Sequence, residues 1–195
     1  MLSKQAKTLT DAQLQSVLQH VAASRYPLRD RAMVLLSFKA GLRAKEISAI
    51  TWGMVTDSDG NLAAEISLPN SASKGKRGGR HIPMQSELRA ALVALRAARG
   101  DCPADSNIIT SERRSGLLPG AIHVWFSRVF AAAQIQGASS HSGRRTFLTT
   151  AARKIMAAGG SLKDVQDLAG HASIATTQRY IDASEEAKRR LIAMM

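Results

Sequence analysis

Apolar residues recur at helical spacing along most of this chain, and the pattern changes character only once. Leu28, Ala32, Leu35 and Phe38 follow such a spacing in a run that Pro27 opens and Gly41 stops. Ahead of it, Thr10 followed three residues later by Gln13 reads as a capping box and predicts a helix over residues 11–23. A short helix over 44–50 completes an N-terminal helical cluster. From Thr51 the pattern shifts: 51–56 is a strand candidate, and 57–61 (Asp-Ser-Asp-Gly-Asn) is a dense turn signal in which Gly60 or Asn61 takes positive φ. Residues 62–68 and 80–84 are further strands, separated by the Gly- and Lys-rich stretch 71–79. The expectation is a small antiparallel three-stranded sheet carrying a basic hairpin.

Helical spacing then returns. Ser86 is expected to cap a run with Leu88, Leu92 and Leu95 on one face, ended by Gly100. Ile122, Phe126, Val129, Phe130 and Ala133 mark a second helix, and Phe147, Ala151, Ile155 and Ala158 a third that stops at Gly159 and Gly160. Ser161 with Asp164 opens a short helix to about Leu168, Ser173 another to about Ile181, and Ser184 a last one to the C-terminus. Helices, a small sheet and helices again define a mainly helical α+β fold, without internal repeats. At 195 residues one domain is expected, large enough to bury its own core.

Charge narrows the class of partner. Lys plus Arg number 27 against 15 Asp plus Glu, a formal net charge of +12, which points to a polyanion. The cations fall in separate clusters, Lys74/Lys76/Arg77/Arg80, Arg113/Arg114, Arg144/Arg145, Arg153/Lys154 and Lys188/Arg189/Arg190, rather than in one solvated tail. No stretch approaches the ~18 apolar residues of a membrane span, and the first ten residues lack the apolar core of a signal peptide. A cytoplasmic protein that does not engage membrane is the expectation. Cys102, the single cysteine, excludes an intrachain disulfide.

Three short motifs stand out in order. Gly41-Leu42-Arg43 is followed by Glu46, a carboxylate spaced to hold the arginine, although an isolated pair of this kind is commonly a surface ion pair. His141-Ser142-Gly143-Arg144 puts a histidine and an arginine at a helix start, which favours anions. Leu168-Ala169-Gly170-His171 comes next, with Tyr180 nine residues after its histidine. A tyrosine on an amphipathic helix is, by itself, more often core than nucleophile. Taken together and in this order, over residues 8–181, these motifs resemble the signature of the tyrosine recombinase (phage integrase) family, and the order of elements is similar to that family's catalytic domain.

The resemblance implies a site-specific recombinase or integrase that cuts and rejoins DNA. Arg43 and Arg144 resemble the pair that clamps the scissile phosphate, and His141 and His171 the two histidines of the site. Tyr180 resembles the nucleophile of a 3′-phosphotyrosine intermediate. Guanidinium forks fit phosphate oxygens and stabilise charge growing in the transition state. A phenol of pKa ~10 needs help to ionise, and His141 is the expected base. Glu46 is expected to orient Arg43. By the same resemblance Lys74 on the hairpin is the general acid, with Lys76 the alternative. Lys76, Arg77, Arg80 and Arg145 are expected DNA contacts, Arg145 lying one position off the motif and meeting either a backbone phosphate or a carboxylate. No metal or other cofactor is implied, because cationic side chains supply the charge stabilisation.

The family further implies double-stranded DNA as partner and a homotetramer assembled on it. Many members carry a separate N-terminal core-binding domain, which is expected to be absent from these 195 residues, leaving a single catalytic domain. The segment 181–195, with Leu191, Ile192 and Met195, either docks on a neighbouring protomer or packs on its own domain. Two other functions share these residues: a type IB topoisomerase-like enzyme and a non-catalytic DNA-binding regulator. His20, His81 and His123 fit no ligand spacing.

Overall fold

The second helix is the element on which the others pack. In the computed structural model, which describes residues 6–69, 79–112, 116–180 and 192–193, helix α2 (Pro27–Lys39) lies against α1 (Asp11–Ala22), α3 (Ala44–Ala49), α4 (Ser86–Arg99) and α6 (Ser142–Lys154). Every side chain from Ala32 to Phe38 is buried, while Leu28 is half exposed at the helix start. Apart from Ser37 the helix is therefore apolar on all sides over that stretch, which befits an element with neighbours all round it. The expected capping box opens α1: Thr10 Oγ1 accepts from Gln13 N–H at 3.2 Å, and Gln13 Oε1 accepts from Thr10 N–H at 3.0 Å. Beyond the sheet, α4 is capped by Gln85 rather than Ser86, the Gln85 side chain accepting from the N–H groups of Glu87 and Leu88. Helix α5 (Pro119–Ala132) sends Phe126 and Phe130 into the core, where Phe130 meets Phe38 edge-on.

The sheet is smaller than expected. Among the described residues it has two antiparallel strands, β1 (Glu65–Leu68) and β2 (Arg80–Pro83), with Ile66 opposite Ile82. Residues 51–56, expected as a strand, instead form a 3₁₀ turn over Trp52–Met54 joined to neighbours by isolated bridges. The backbone donors account for this. Trp52 N–H goes to Ser106 O and Gly53 N–H to Ala104 O, while Met54 N–H returns to Thr51 O, so no ladder toward β1 is left to form. The turn at 57–61 does close as read, with Thr56 bridged to Leu62, Gly60 at φ 78° and Asp57 Oδ1 accepting from Asp59 and Asn61. The hairpin tip with Lys74, Lys76 and Arg77 lies outside the described residues, as does nearly all of the expected last helix.

Toward the C-terminus, α7 (Leu162–Ala169) starts at the Ser161/Asp164 capping box and ends on Gly170. Helix α8 (Ile174–Gln178) stops before Tyr180, shorter than its expected run to Ile181. Leu148, Ala152, Val165 and Ala169 form a second apolar cluster that ties α6 to α7, and Tyr180 packs on its edge. The crossing of α6 on α2 is close because Gly143 sits in it: a Cβ there would fall on Ser37 Oγ and within 2.8 Å of the Phe38 ring. Gly143→Ala is expected to lower stability by about 1–3 kcal/mol through overpacking, read from urea denaturation. Gly120→Ala, whose Cβ meets nothing within 4 Å, should leave the midpoint nearly unchanged.

Candidate active site

Arg144, in the first turn of α6, is 5% exposed and reaches two other segments. Its Nη1 donates to Gly41 O at 2.6 Å, and its Nη2 donates to Ala169 O at 2.7 Å and to His171 Nε2 at 3.2 Å. Gly41 adopts φ 63°, and the Phe147 ring fills the place of a Cβ, so the chain can leave α2 with this carbonyl turned to Arg144 only because the residue is glycine. All three acceptors are neutral. Burial, aided by Arg43 and Arg80 and opposed by Glu46 and Tyr180, pulls the guanidinium down to about 9, still charged at neutral pH.

One carboxylate serves the two neighbouring guanidiniums. Arg43, which precedes α3, donates its backbone N–H to Glu46 Oε2 at 2.8 Å and its Nη1 to Oε1 at 2.8 Å. Arg80 forks the same carboxylate, Nη1 to Oε1 at 3.0 Å and Nη2 to Oε2 at 2.9 Å. Burial alone would raise the Glu46 carboxyl, but the hydrogen bonds and charges of Arg80 and Arg43 outweigh it and hold the group below the usual carboxylate range. Arg80 therefore corrects an expectation. Grouped by sequence with Lys76 and Arg77 as a DNA contact, its side chain is only 7% exposed and bound to Glu46. The strand alternation explains it, since Arg80 shares the inward face of β2 with Ile82 while His81 and Pro83 point out.

His171 follows the Gly170 turn that ends α7. Its Nε2 faces Arg144 and its Nδ1 lies 2.9 Å from Thr177 Oγ1. Its ring stacks on that of Tyr180, with centroids 5.7 Å apart and an 18° tilt. Burial first, then Arg144, Arg43 and Arg80, pull His171 down to about 4, so it is neutral at physiological pH. His141 precedes α6 and stacks on His123 at 5.7 Å, with Ser140 Oγ between their Nδ1 atoms. Burial and the charges of His123, Arg144 and Arg43 hold His141 below its ordinary 6.5.

These side chains face one open cleft of about 1080 Å³. Arg43, His141, Arg144, His171 and Tyr180 all line it. Its cations are Lys7, Arg43, Lys45, Arg144, Arg145 and Arg179, and no carboxylate is among the described residues of its lining. Arg145 Nη1 donates to Ala6 O at 2.9 Å, pinning the N-terminal segment along α6. Lys74, Lys76 and Arg77 lie outside the described residues. Sequence reasoning missed Lys7, Lys45, Arg179, His123 and Thr177. Lys45 and Arg179 directly flank Ala44 and Tyr180 and Thr177 lies between His171 and Tyr180, so all three were visible as neighbours of the motifs, whereas His123 joins the site only through tertiary contact. The arrangement can grip a phosphodiester between guanidiniums, with a phenol hydroxyl beside it and a neutral imidazole able to accept its proton.

Comparison with known proteins gives the same picture at the level of relatives. The model of the Phage integrase family matches residues 7–187. A tyrosine recombinase XerC of Xylella fastidiosa is 32% identical over 153 residues, 78% of this chain and 48% of that protein. A tyrosine recombinase XerD of Ralstonia nicotianae is 32% identical over 198 residues, 96% of this chain and 59% of the relative. The chain thus spans about half the length of the curated relatives it matches. In fold it is similar to the crystal structure of XerA recombinase, with a TM-score of 0.71 at 23% identity over 96% of this chain and 64% of that one. It is also similar to the Tn1549 transposon integrase in complex with a circular intermediate DNA, with a TM-score of 0.74 at 21% identity over 98% and 66%.

Glu46→Gln is expected to cost about 3 kcal/mol or more, because it leaves buried Arg80 without its counter-charge. The acid side carries the signature. Since the folded Glu46 value is depressed, its contribution is present above the ordinary value of 4.5 and is lost as pH falls through the folded one. Stability measured from pH 7 downward should therefore fall less steeply below 4.5 in Glu46→Gln than in the wild type.

Proposed function

The chain belongs to the phage integrase family, and from that premise we propose that it is a site-specific tyrosine recombinase that cuts and rejoins double-stranded DNA through Tyr180. The observation that carries the reading is the convergence of Arg43, His141, Arg144, His171 and Tyr180 on one cleft rich in cations. In the proposed reaction the Tyr180 phenol oxygen attacks the scissile phosphorus and the 5′-oxygen leaves. The product is a 3′-phosphotyrosine that keeps the bond energy for rejoining. Arg144 and Arg43 bind the non-bridging oxygens, where negative charge grows in the transition state. His141 takes the phenol proton, for which a neutral imidazole is required. His171 acts through its two partners, holding the Arg144 guanidinium while its ring supports Tyr180.

Residues 1–195 constitute one catalytic domain in this proposal. Arg145, Lys7, Lys45 and Arg179 continue the basic lining along which the DNA backbone would run. Assembly as a tetramer on paired DNA sites and action in the cytoplasm belong to the same proposal. Among the described residues no helix is long and apolar enough to cross a membrane.

The decisive experiment incubates the protein with a suicide DNA substrate that traps the covalent intermediate. Wild type is expected to form a protein–DNA adduct, and Tyr180→Phe to form none while still binding DNA, because only the nucleophilic oxygen is removed. Adduct at wild-type level in Tyr180→Phe would refute the assignment. A topoisomerase-like enzyme forms the same adduct, so joining of strands between two differently marked duplexes separates the two activities.

Lys74 is the proposed general acid for the leaving oxygen, with Lys76 the alternative. Lys74→Ala is expected to be slow on ordinary DNA and to recover on a strand whose scissile 5′-oxygen is replaced by sulfur, which leaves without protonation. Rescue of Lys76→Ala instead moves the role by two residues.

A further inference from the structure

Thr177 is fully buried although it carries a hydroxyl and sits in a five-residue helix beside an open cleft. Its polar groups touch both working parts of the site. Its Oγ1 lies 2.9 Å from His171 Nδ1, and its carbonyl accepts the backbone N–H of Tyr180 at 3.0 Å. On the far side of the ring, His171 Nε2 lies 3.2 Å from Arg144 Nη2. A guanidinium has only hydrogens to offer, so Nε2 must present its lone pair. The ring proton then sits on Nδ1, and the Thr177 hydroxyl oxygen accepts it.

We propose that Thr177 is a positioning residue that fixes the His171 ring as its Nδ1–H tautomer and ties that ring to the turn carrying Tyr180. The inference rests on the reading of this cleft as a DNA-cleaving site. The hydroxyl sets the ring, the ring presents a lone pair to Arg144, and the carbonyl of the same residue holds the tyrosine turn, so clamp and nucleophile share one support. Its surroundings suit a neutral ring: burial first, then Arg144, Arg43 and Arg80, disfavour a second proton on His171. Without the hydroxyl, the proton is free to move to Nε2, where it would point at a donor.

The test uses Thr177→Val, which keeps the shape and removes the acceptor, and Thr177→Ser, which keeps the acceptor. Two quantities are measured: the initial rate of adduct formation on a suicide DNA duplex, and the His171 tautomer from ring ¹⁵N chemical shifts. Wild type and Thr177→Ser should carry the proton on Nδ1 and react at similar rates. Thr177→Val should be slower by about tenfold or more, the scale on which outer partners of a working histidine act, with ring proton density moved toward Nε2. A valine variant that keeps either its rate or its tautomer overturns the proposal, since loss of rate alone marks a merely structural residue. So does a wild-type His171 protonated on Nε2, and so does a serine variant as slow as expected for valine. If Thr177→Val fails to fold, the wild-type tautomer and the serine rate decide. Failure of the functional reading is seen separately, as absence of adduct in the wild type, and leaves the tautomer measurement valid.

Discussion

A buried guanidinium with no carboxylate partner among the described residues is the constraint around which this molecule is arranged. Arg144 keeps its charge in the interior on two backbone carbonyls and an imidazole lone pair. Those bonds join α6 to the turn after α2, 103 positions earlier, and to the end of α7, 25 positions later. A buried cation with only neutral partners is costly, and an arriving anion lowers that cost. The neighbouring Arg80 gives the contrast. Equally buried, it is forked onto Glu46 and so is neutralised in place as part of the scaffold. Glu46 is shared with Arg43, which leaves three guanidiniums around one carboxylate and an excess of positive charge facing the cleft.

Burial first, and the neighbouring cations after it, set the protonation of the histidines. His141 and His171 both sit among guanidiniums and both are shifted toward the neutral form. A neutral His171 can accept from Arg144, and in the proposed reaction a neutral His141 accepts the phenol proton. The cation cluster thus adds to burial in keeping the imidazoles unprotonated, while its excess charge attracts an anion. Tyr180 stands at the edge of the smaller apolar cluster formed by α6 and α7, so packing and electrostatics converge on the same two helices.

Much of this was readable along the chain, and the failures have different causes. Helix ends were legible because their signals are local: the Thr10/Gln13 and Ser161/Asp164 boxes and the Gly41 stop act within a few residues. The motif residues were legible for the same reason, being held at fixed spacings. Residues 51–56 were misread because backbone donors of Trp52 and Gly53 pair with the distant 104–106 segment, which no local pattern announces. Arg80 was misread because composition placed it with the basic hairpin, whereas the alternation of β2 turns it inward to Glu46. Thr177 was passed over although its contacts with His171 and Tyr180 are local, because it belongs to no motif, and His123 because it meets Ser140 and His141 only when α5 packs beside the start of α6.

The chain contains two tyrosines, and that makes the central claim directly measurable. Tyr180 lines the cationic cleft, whereas Tyr26 lies against the guanidiniums of Arg25 and Arg29 and is not part of that lining. The adduct trapped on a suicide DNA duplex can be digested with protease and nuclease and its modified peptide sequenced by mass spectrometry. The account predicts a nucleotide attached through its 3′-phosphate to Tyr180. Attachment at Tyr26, at any other residue, or through a 5′-phosphate would contradict it.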